Sequence, residues 1–134
     1  MKHPQINATR WLRQANYDLK EAIRSLKTNS FAYATFFAEQ SAQKSLKAYL
    51  FFRGKRAIFI HSIAELIKEA ASSDKAFLTF VEEGQKLDRY YLASRYPDAL
   101  PEPAVPAESY SKSEAEEAVD TATKIFNFCK RKIV

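Results

Sequence analysis

The chemistry that this sequence could perform depends on basic and aromatic side chains in two stretches. His61 stands at the entrance of a predicted helix, and the cations near it in sequence are Lys44, Lys47, Arg53 and Arg56. The second stretch, residues 88–97 with the sequence DRYYLASRYP, interleaves arginine with tyrosine before a proline. Such side chains bind phosphate and stack on a base. The alternative is structural: the tyrosines pack the end of a helical bundle, and the arginine caps backbone carbonyls.

A polar stripe runs along the helix that is predicted to end near Gly54. Its members recur at the spacing of one helix face and are Glu39, Gln40, Gln43, Lys44 and Lys47. Two cations and a carboxylate on one face are either the solvated side of a bundle helix or a functional polar surface. The spacing alone leaves both interpretations open.

Residues for other kinds of catalysis are sparse. The chain has two histidines and one cysteine, and it lacks a Gly-rich phosphate loop, a Gly-x-Ser-x-Gly motif and paired Glu-x-x-His motifs. With so few good ligands, we expect neither a metal site nor a cofactor. Cys129 is expected to be a small core residue and not a nucleophile.

Apolar residues at helical spacing predict an all-α fold with four long helices and one short one. The predicted helices span about 7–27 with Asn7 as N-cap, 31–54, 62–71, 75–91 and 111–133. The third and last helices open with the capping-box pairs Ser62/Glu65 and Ser111/Glu114. We therefore predict one domain, residues 1–134, folded as an up-and-down antiparallel four-helix bundle with one extra short helix.

Three further features bear on packing. Small residues at 34, 38, 41, 45 and 48 form a seam on the second helix, which lets another helix come close. The same helix carries more aromatic residues than one core usually absorbs, so some are expected to meet another chain; they are Phe31, Tyr33, Phe36, Phe37, Phe51 and Phe52. Residues 92–110 hold four of the five prolines and are predicted to be an extended, partly rigid loop.

The overall charge and hydropathy narrow the possible partners. A net charge of +5 and a pI near 9.3 favour an anionic partner such as a nucleotide, RNA or an acidic protein surface. No apolar run approaches the roughly 20 residues that span a bilayer, and the N-terminus has no apolar secretion signal. We therefore expect a cytoplasmic protein that does not enter a membrane.

Four groups of residues, in order along nearly the whole chain, resemble the HEPN domain family. They are Trp11-x-x-x-Ala15-x-x-Asp18-Leu19-x-x-Ala22, Ala38-Glu39-Gln40-x-x-x-Lys44-x-x-Lys47-Ala48, His61-Ser62-Ile63-x-x-Leu66, and Tyr91 with Arg95-Tyr96-Pro97. The resemblance implies a helical bundle, commonly dimeric, that in prokaryotes is often produced beside a small nucleotidyltransferase as a toxin–antitoxin pair. Members of the family are proposed to bind nucleotides or to cut RNA.

The resemblance also implies site residues. Together with residue type, it predicts nucleotide binding by Lys44, Lys47, His61, Arg95 and Tyr96. Phosphate would meet Lys47 and Arg95, and the base would lie beside Tyr96. Glu39 and Tyr91 are expected to have an interface or structural role. On this interpretation the protein is a non-catalytic or weakly catalytic homodimer that binds a nucleotide or docks a nucleotidyltransferase.

A second interpretation is a metal-independent ribonuclease that acts as a dimer through Arg56 and His61. Ribonuclease members of the family carry Arg, four to six residues, and then His, and residues 56–61, RAIFIH, have this spacing. This segment spans a loop and a helix entrance, whereas the family's motif is expected near a helix that faces its twin, which counts against cleavage. His61 could instead cap the third helix and pack the end of the bundle. A third interpretation is a purely structural interaction module.

Overall fold

The computed structural model describes residues 3–133, which form six α-helical segments and, within that range, no strand. The segments are α1 (Pro4–Lys27), α2 (Phe31–Phe52), α3 (Ile63–Ala71), α4 (Val81–Asp88), α5 (Tyr90–Ala93) and α6 (Lys112–Lys132). Because α5 is a single turn of four residues, five helices make the bundle. The predicted all-α class is confirmed. Met1, Lys2 and Val134 of the predicted domain 1–134 lie outside the described residues.

The first helix begins one turn earlier than its sequence predicts. Pro4 occupies the first helical position, where its missing N–H is no loss and its fixed φ favours the helix. Asn7 is buried, and its backbone N–H donates to the His3 carbonyl at 2.9 Å. The prediction that Asn7 is the N-cap is therefore wrong, because the proline starts the helix and His3 takes the cap position.

Helices α1 and α2 form an antiparallel hairpin. The turn between them places Asn29 at a φ of 60°, a left-handed conformation that asparagine tolerates. Near the middle of the pair, Ser41 Oγ donates to the Ala15 carbonyl at 2.8 Å. Near one end, the Trp11 and Phe51 rings lie 5.4 Å apart. Contacts between α1 and the small-residue seam therefore bring the two helices very close along their length.

Helix α2 is the centre of the bundle and contacts α1, α3 and α6. The seam is buried as predicted, at Ala34, Ala38, Ser41, Ser45 and Ala48. The aromatic excess is mostly absorbed within the chain: of the six rings named above only Tyr33 is exposed, and Phe51 is buried against Trp11. The aromatic argument for an interface with another chain is thus weaker than the sequence implied.

The helix predicted over residues 75–91 is divided into three pieces. Lys75–Phe80 form a 3₁₀ helix, which continues into α4 and, after Arg89, into the turn α5. Its predicted apolar residues Phe77 and Leu87 are buried. A Cβ on Gly84 would lie 2.7 Å from Ile67 Cδ1, so the glycine lets α4 pack directly on α3.

The proline segment is less extended than predicted. Two 3₁₀ turns lie within it, Pro97–Ala99 and Pro106–Glu108, and each begins at a proline whose fixed φ suits a helical first position. The segment ends at α6, where the predicted capping box is confirmed: Ser111 Oγ accepts from the Glu114 amide, and the Glu114 carboxylate accepts from the Ser111 amide. No helix within residues 3–133 has the length and apolarity needed to cross a membrane.

Candidate functional site

The polar stripe of α2 is buried and not solvated. Glu39 has no exposed surface, and Gln43 and Lys47 keep only 5% and 4% of theirs. The interpretation of this stripe as the solvated face is therefore wrong. Burying charged and amide groups is unfavourable unless each group finds a partner, so their hydrogen bonds define the site.

Glu39 lies at the buried end of the network. Its two carboxylate oxygens accept from Gln40 Nε2 at 2.7 Å and from Gln43 Nε2 at 2.9 Å. Burial raises the pKa of Glu39 to about 7; the amide donors oppose this rise, and Asp88 adds to it. Glu39 is thus a carboxyl group that can change charge near neutral pH. Its role at an interface or in the structure stays a prediction.

His61 connects this network to solvent. The side chain is exposed, and its Nδ1 lies 3.2 Å from Lys47 Nζ and 3.3 Å from Gln43 Oε1. An ammonium group can only donate and an amide oxygen can only accept, so Nδ1 can bond to one of them at a time. When Nδ1 accepts from Lys47, the neutral ring carries its proton on Nε2. When Nδ1 carries a proton, it donates to Gln43.

Lys47 is a nearly buried cation without a close anion. It forms no ion pair with any of residues 3–133, and its Nζ lies 5.6 Å from the centre of the Trp11 ring. Burial lowers the pKa of Lys47, Glu39 opposes this shift, and Lys44 adds to it. Lys44 differs, because its Nζ lies 2.6 Å from the Asp18 carboxylate. The unsatisfied positive charge of the site is therefore on Lys47.

A shallow cavity of about 260 Å³ opens beside His61 and is lined by His61, Ser62, Asp88 and Tyr91. The imidazole ring stacks on the Tyr91 ring at a centroid distance of 5.9 Å. The Asp88 carboxylate accepts from Ser62 Oγ and from the amide of Ile63 at 2.8 and 2.6 Å, which ties α4 to the start of α3.

The start of α3 is capped by residues other than His61. Ser62 Oγ accepts from the Glu65 amide at 3.2 Å, while the Glu65 carboxylate lies 3.7 Å from Lys68. The Ser62/Glu65 capping box is thus only half formed, because the Glu65 carboxylate lies beside Lys68 and does not accept from the Ser62 amide, while Asp88 accepts from the amides of Ile63 and Ala64. The alternative in which His61 caps this helix is wrong, since its ring points to α2 and Tyr91.

Arg95 and Tyr96 extend the site beyond Tyr91. The Arg95 guanidinium donates to the Tyr91 carbonyl at 3.1 Å, as the structural alternative anticipated. It also lies between rings, 4.3 Å from the centre of Phe36 and 4.9 Å from that of Tyr96. Tyr96 is 51% exposed and so does not pack the bundle end. Arg95 thereby presents a cation and an accessible aromatic ring on the same face.

Arg56 stands apart from these residues. It is exposed in the segment between α2 and α3, and among the described residues it forms no hydrogen bond or ion pair, with His61 or with any other side chain. The sequence-predicted residues that contacts connect in one continuous set are Lys47, His61, Tyr91, Arg95 and Tyr96. Glu39 joins this set through Gln43, whereas Lys44 is paired with Asp18.

The sequence did not predict the contacts that three residues make with the site. Asp18 neutralises Lys44, Gln43 positions the His61 ring, and Asp88 fixes the loop that carries it. Asp18 and Asp88 lie more than 20 residues from their partners, so no local spacing reveals them. Gln43 was within the recognised stripe, and its helical phase between Glu39 and Lys47 is the signal that could have identified it.

The remaining reactive groups lie outside this set. Cys129 is fully buried in the core, as predicted, and burial raises the pKa of its thiol above its ordinary range. In the described part of the chain, no three His, Cys, Asp or Glu side chains come together as a metal site would require.

Comparison with known proteins places this arrangement in a family. The solved structure of TT1696 from Thermus thermophilus is 39% identical, with a TM-score of 0.87 over 94% of this chain and 98% of that one. The archaeal HEPN homologue ST0689 is 32% identical, with a TM-score of 0.76 and full coverage of both chains. A HEPN domain protein of Thermotoga maritima is 29% identical, with a TM-score of 0.71 over 91% and 95% of the two chains.

Sequence comparison agrees with the structures. A protein of Methanocaldococcus jannaschii named "Putative toxin MJ1304" is 27% identical over 128 residues, which cover 90% of this chain and 84% of that protein. The family model described as HEPN domain matches residues 8–132. The chain therefore belongs to the HEPN domain family.

Proposed function

We propose that this HEPN protein is the nucleotide-binding member of a toxin–antitoxin pair, and that it binds a phosphate group beside the hydrogen-bonded pair Lys47 and His61. Two findings support the toxin–antitoxin part of the proposal: membership of the HEPN family, and a relative from M. jannaschii that has the word toxin in its name. The site geometry supports the nucleotide-binding part.

The observation that carries the proposal is the nearly buried Lys47, which is 4% exposed and forms no ion pair within residues 3–133. A desolvated ammonium group without a counter-ion is unfavourable in the free protein, and an incoming phosphate would relieve this cost. Lys44 could not play this part as well, because Asp18 already neutralises it. The site is thus set up to attract an anion at one particular nitrogen.

The surrounding residues fit the rest of a nucleotide. With Nδ1 held by Lys47, the neutral His61 ring presents Nε2–H to solvent, where it can donate to a phosphate oxygen. Tyr96 is accessible and lies against the Arg95 guanidinium, so this pair offers a stacking surface for a base and a second cation for phosphate.

Calorimetric titration with ATP and GTP tests the proposal at the residue level. We expect saturable binding by the wild type that weakens at least about tenfold in His61→Ala and in Arg95→Ala, as loss of a charged or strong hydrogen bond implies. His3→Ala is the matched control, because His3 is the only other histidine and lies exposed at the start of α1. Equal losses in the control would count against the site.

The predicted partners remain proposals. We propose a homodimer and a small nucleotidyltransferase as the second protein of the pair. The large exposed apolar side chains that such contacts could use include Tyr33 at 53% and Phe59 at 87% exposure. Light scattering on the purified protein, alone and mixed with a nucleotidyltransferase encoded beside it, tests both. A monomer that ignores the second protein would reject this part of the proposal.

A metal-independent ribonuclease is the second candidate function. It is favoured by the exposed His61 ring, whose anchored Nδ1 leaves Nε2 free for proton transfer, and by the exposed Arg56, which could approach the site of another subunit. The purified protein should then cleave RNA in the presence of a chelator. His61→Ala should abolish cleavage without loss of helicity, whereas His3→Ala should cleave normally.

A purely structural interaction module remains as the third candidate. A stable dimer or heteromer that binds neither nucleotide nor RNA would favour it over both of the others.

A further inference from the structure

Gln43 connects the buried carboxyl of Glu39 to the exposed ring of His61, and the proposed nucleotide site gives it no part in binding. Its Nε2 donates to a Glu39 oxygen at 2.9 Å, and its Oε1 lies 3.3 Å from His61 Nδ1. An ionised carboxylate can only accept hydrogen bonds, so Glu39 holds the NH₂ end of the amide on its own side. The amide oxygen of Gln43 is therefore directed at the ring. We call these three side chains the relay.

The relay oxygen and Lys47 compete for the same ring nitrogen. Lys47 Nζ lies 3.2 Å from His61 Nδ1 and can only donate to it, whereas the Gln43 oxygen can only accept from it. While Lys47 donates, Nδ1 carries no proton and the Gln43 oxygen gains no hydrogen bond from the ring. Gln43 is 5% exposed, so water gives this oxygen little compensation. The free site therefore leaves one of its two contacts unmade.

An anion at the site changes which contact forms. A phosphate offers Lys47 charged acceptor oxygens, which bind an ammonium group more strongly than a neutral imidazole nitrogen does. Once Lys47 donates to the phosphate, His61 Nδ1 is free to carry a proton and to donate to the Gln43 oxygen, which ionised Glu39 holds in place. The ring then has a proton on both nitrogens, and its positive charge is favoured beside the phosphate.

The charged groups around the relay fit this exchange. Those that face Glu39 or His61 from the surrounding elements are Lys47 of α2, Asp88 of α4, Tyr91 of α5 and Arg95 after α5. On the α1 side, the Asp18 carboxylate is already paired with Lys44. Asp88 favours a cationic His61 ring, and the Lys47 ammonium opposes it. A phosphate that engages Lys47 removes this opposition, so the ring gains its proton when the anion binds.

We propose that phosphate binding at this site is coupled to proton uptake: the phosphate engages Lys47, His61 takes a proton from solvent on Nδ1, and that N–H donates to the Gln43 oxygen. Glu39 and Gln43 are then positioning residues, which act on the ligand through His61. The inference rests on the proposed function and adds how the same site responds to pH. Because a proton is taken up with the anion, affinity falls as the pH rises above neutrality.

Calorimetric titration with ATP in buffers of different ionisation enthalpy measures the protons taken up for each ATP bound. At about pH 7.5 the phosphates of ATP are ionised, and the Glu39 carboxyl, with its pKa of about 7, is mostly ionised. We expect the wild type to take up at least about half a proton, and its affinity for ATP to fall at least about threefold when the pH is raised by about one unit.

Variants of the relay assign the proton. Gln43→Met removes the acceptor, and His61→Asn keeps an N–H that can reach the Gln43 oxygen but cannot titrate. Both should bind ATP more weakly and with little proton uptake. Gln40→Met is the matched control, because Gln40 also donates to the Glu39 carboxylate, at 2.7 Å, and has no hydrogen bond to His61 among the described residues. Its proton uptake should match that of the wild type, and urea denaturation checks that each variant folds.

The protonation of the ring can also be measured without any variant. Nitrogen NMR shifts distinguish the two neutral forms of imidazole from the cation, and His3, which is exposed at the start of α1, provides an internal reference. In the wild type at about pH 7.5 we expect His61 to be neutral in the free protein, with its proton on Nε2, and to carry protons on both nitrogens when ATP is bound.

Other outcomes separate this inference from the proposed function. If ATP binds without proton uptake and the His61 ring stays neutral, the coupling is wrong and the nucleotide proposal stands. Uptake that persists in His61→Asn would assign the proton to another group such as Lys47, and equal losses of uptake in Gln43→Met and Gln40→Met would exclude the relay; either result overturns the inference. If ATP does not bind, both proposals fail.

Discussion

Lys47 is the residue on which the proposed site depends most, and its replacement by methionine separates function from stability. Methionine has a similar length but no charge, so Lys47→Met removes a desolvated ammonium and leaves His61 free to donate to Gln43. We expect the free energy of unfolding at pH 7 to rise by about 1 kcal/mol in urea denaturation, since apolar replacement of a buried ion is often stabilising.

The pH dependence of this gain follows from the lowered pKa of Lys47. The folded protein holds this proton less tightly than the unfolded chain, so the cost of the ammonium is fully present below the folded pKa. It disappears as the pH rises toward the ordinary value of 10.5. The advantage of Lys47→Met should therefore shrink as the pH rises through the lowered pKa of Lys47 toward 10.5. Lys124→Met, at an exposed lysine, is the control, and a large loss of stability in Lys47→Met alone would make Lys47 a structural residue.

The pKa of Glu39 is shifted in the opposite direction to that of Lys47, and its effect on stability falls at lower pH. Its pKa is raised from 4.5 to about 7, so the folded protein binds this proton more tightly than the unfolded chain does. The stability contributed by the proton is present below about pH 4.5 and is lost as the pH rises to about 7. The loss is on the order of 3 kcal/mol, at 1.36 kcal/mol for each pH unit of the difference.

Glu39→Gln should remove this dependence. We expect the variant to unfold at nearly equal urea concentrations at pH 5 and pH 8, whereas the wild type is less stable at pH 8. Glu65→Gln, at an exposed carboxylate paired with Lys68, serves as control. An unchanged pH profile in Glu39→Gln would mean that the carboxyl ionises normally in the folded protein.

The identities of the site residues could be predicted from the sequence, but their burial and their ion pairs could not. Lys44 and Lys47 look equivalent on the α2 stripe, and only the fold shows that Asp18 pairs with one and leaves the other alone. Likewise, Glu39 shares a helix face with polar residues, which resembles a solvated surface until α4 and the segment after it cover that face. Burial is a property of the assembled bundle.

At the scale of elements, the start of α3 is fixed by a residue from another helix. Asp88 accepts from the amides of Ile63 and Ala64 and from Ser62 Oγ, and so holds the segment that carries His61. Asp88→Ala leaves these donors without their acceptor, and we expect a loss of about 2 kcal/mol in the free energy of unfolding. It should also weaken nucleotide binding by loosening His61.

Asp120→Ala provides the comparison for this prediction. Asp120 forms only an exposed ion pair with Lys124 on α6, so its loss should cost less than about 0.5 kcal/mol. If both variants are equally stable in urea denaturation, Asp88 is not the anchor of α3.

The elements that depend on local signals were predictable. The Ser111/Glu114 box lies within four residues, and the small-residue seam is a property of one helix; both appear in the structure as predicted. The predictions that were wrong involve competition with distant groups. Asp88 accepts from the first amides of α3 while Glu65 lies beside Lys68, and the 3₁₀ stretch before α4 interrupts a pattern that predicts one helix.

At the scale of the whole molecule, the hairpin of α1 and α2 creates both the site and its charge. Their antiparallel packing places residues 3–17 and 40–52, which contain no acidic residue, at the same end, next to the segment that carries His61. The proposed function follows from this placement: an anion is drawn to a positive surface that contains one nearly buried cation without a counter-ion.

The most direct test of the central claim is calorimetric titration of wild type and Lys47→Met with ATP and GTP, with Lys124→Met as control. We expect saturable binding by the wild type and by the control, and loss of that binding in a Lys47→Met protein that is at least as stable as the wild type. Unchanged nucleotide affinity in Lys47→Met would contradict the claim that Lys47 holds the phosphate.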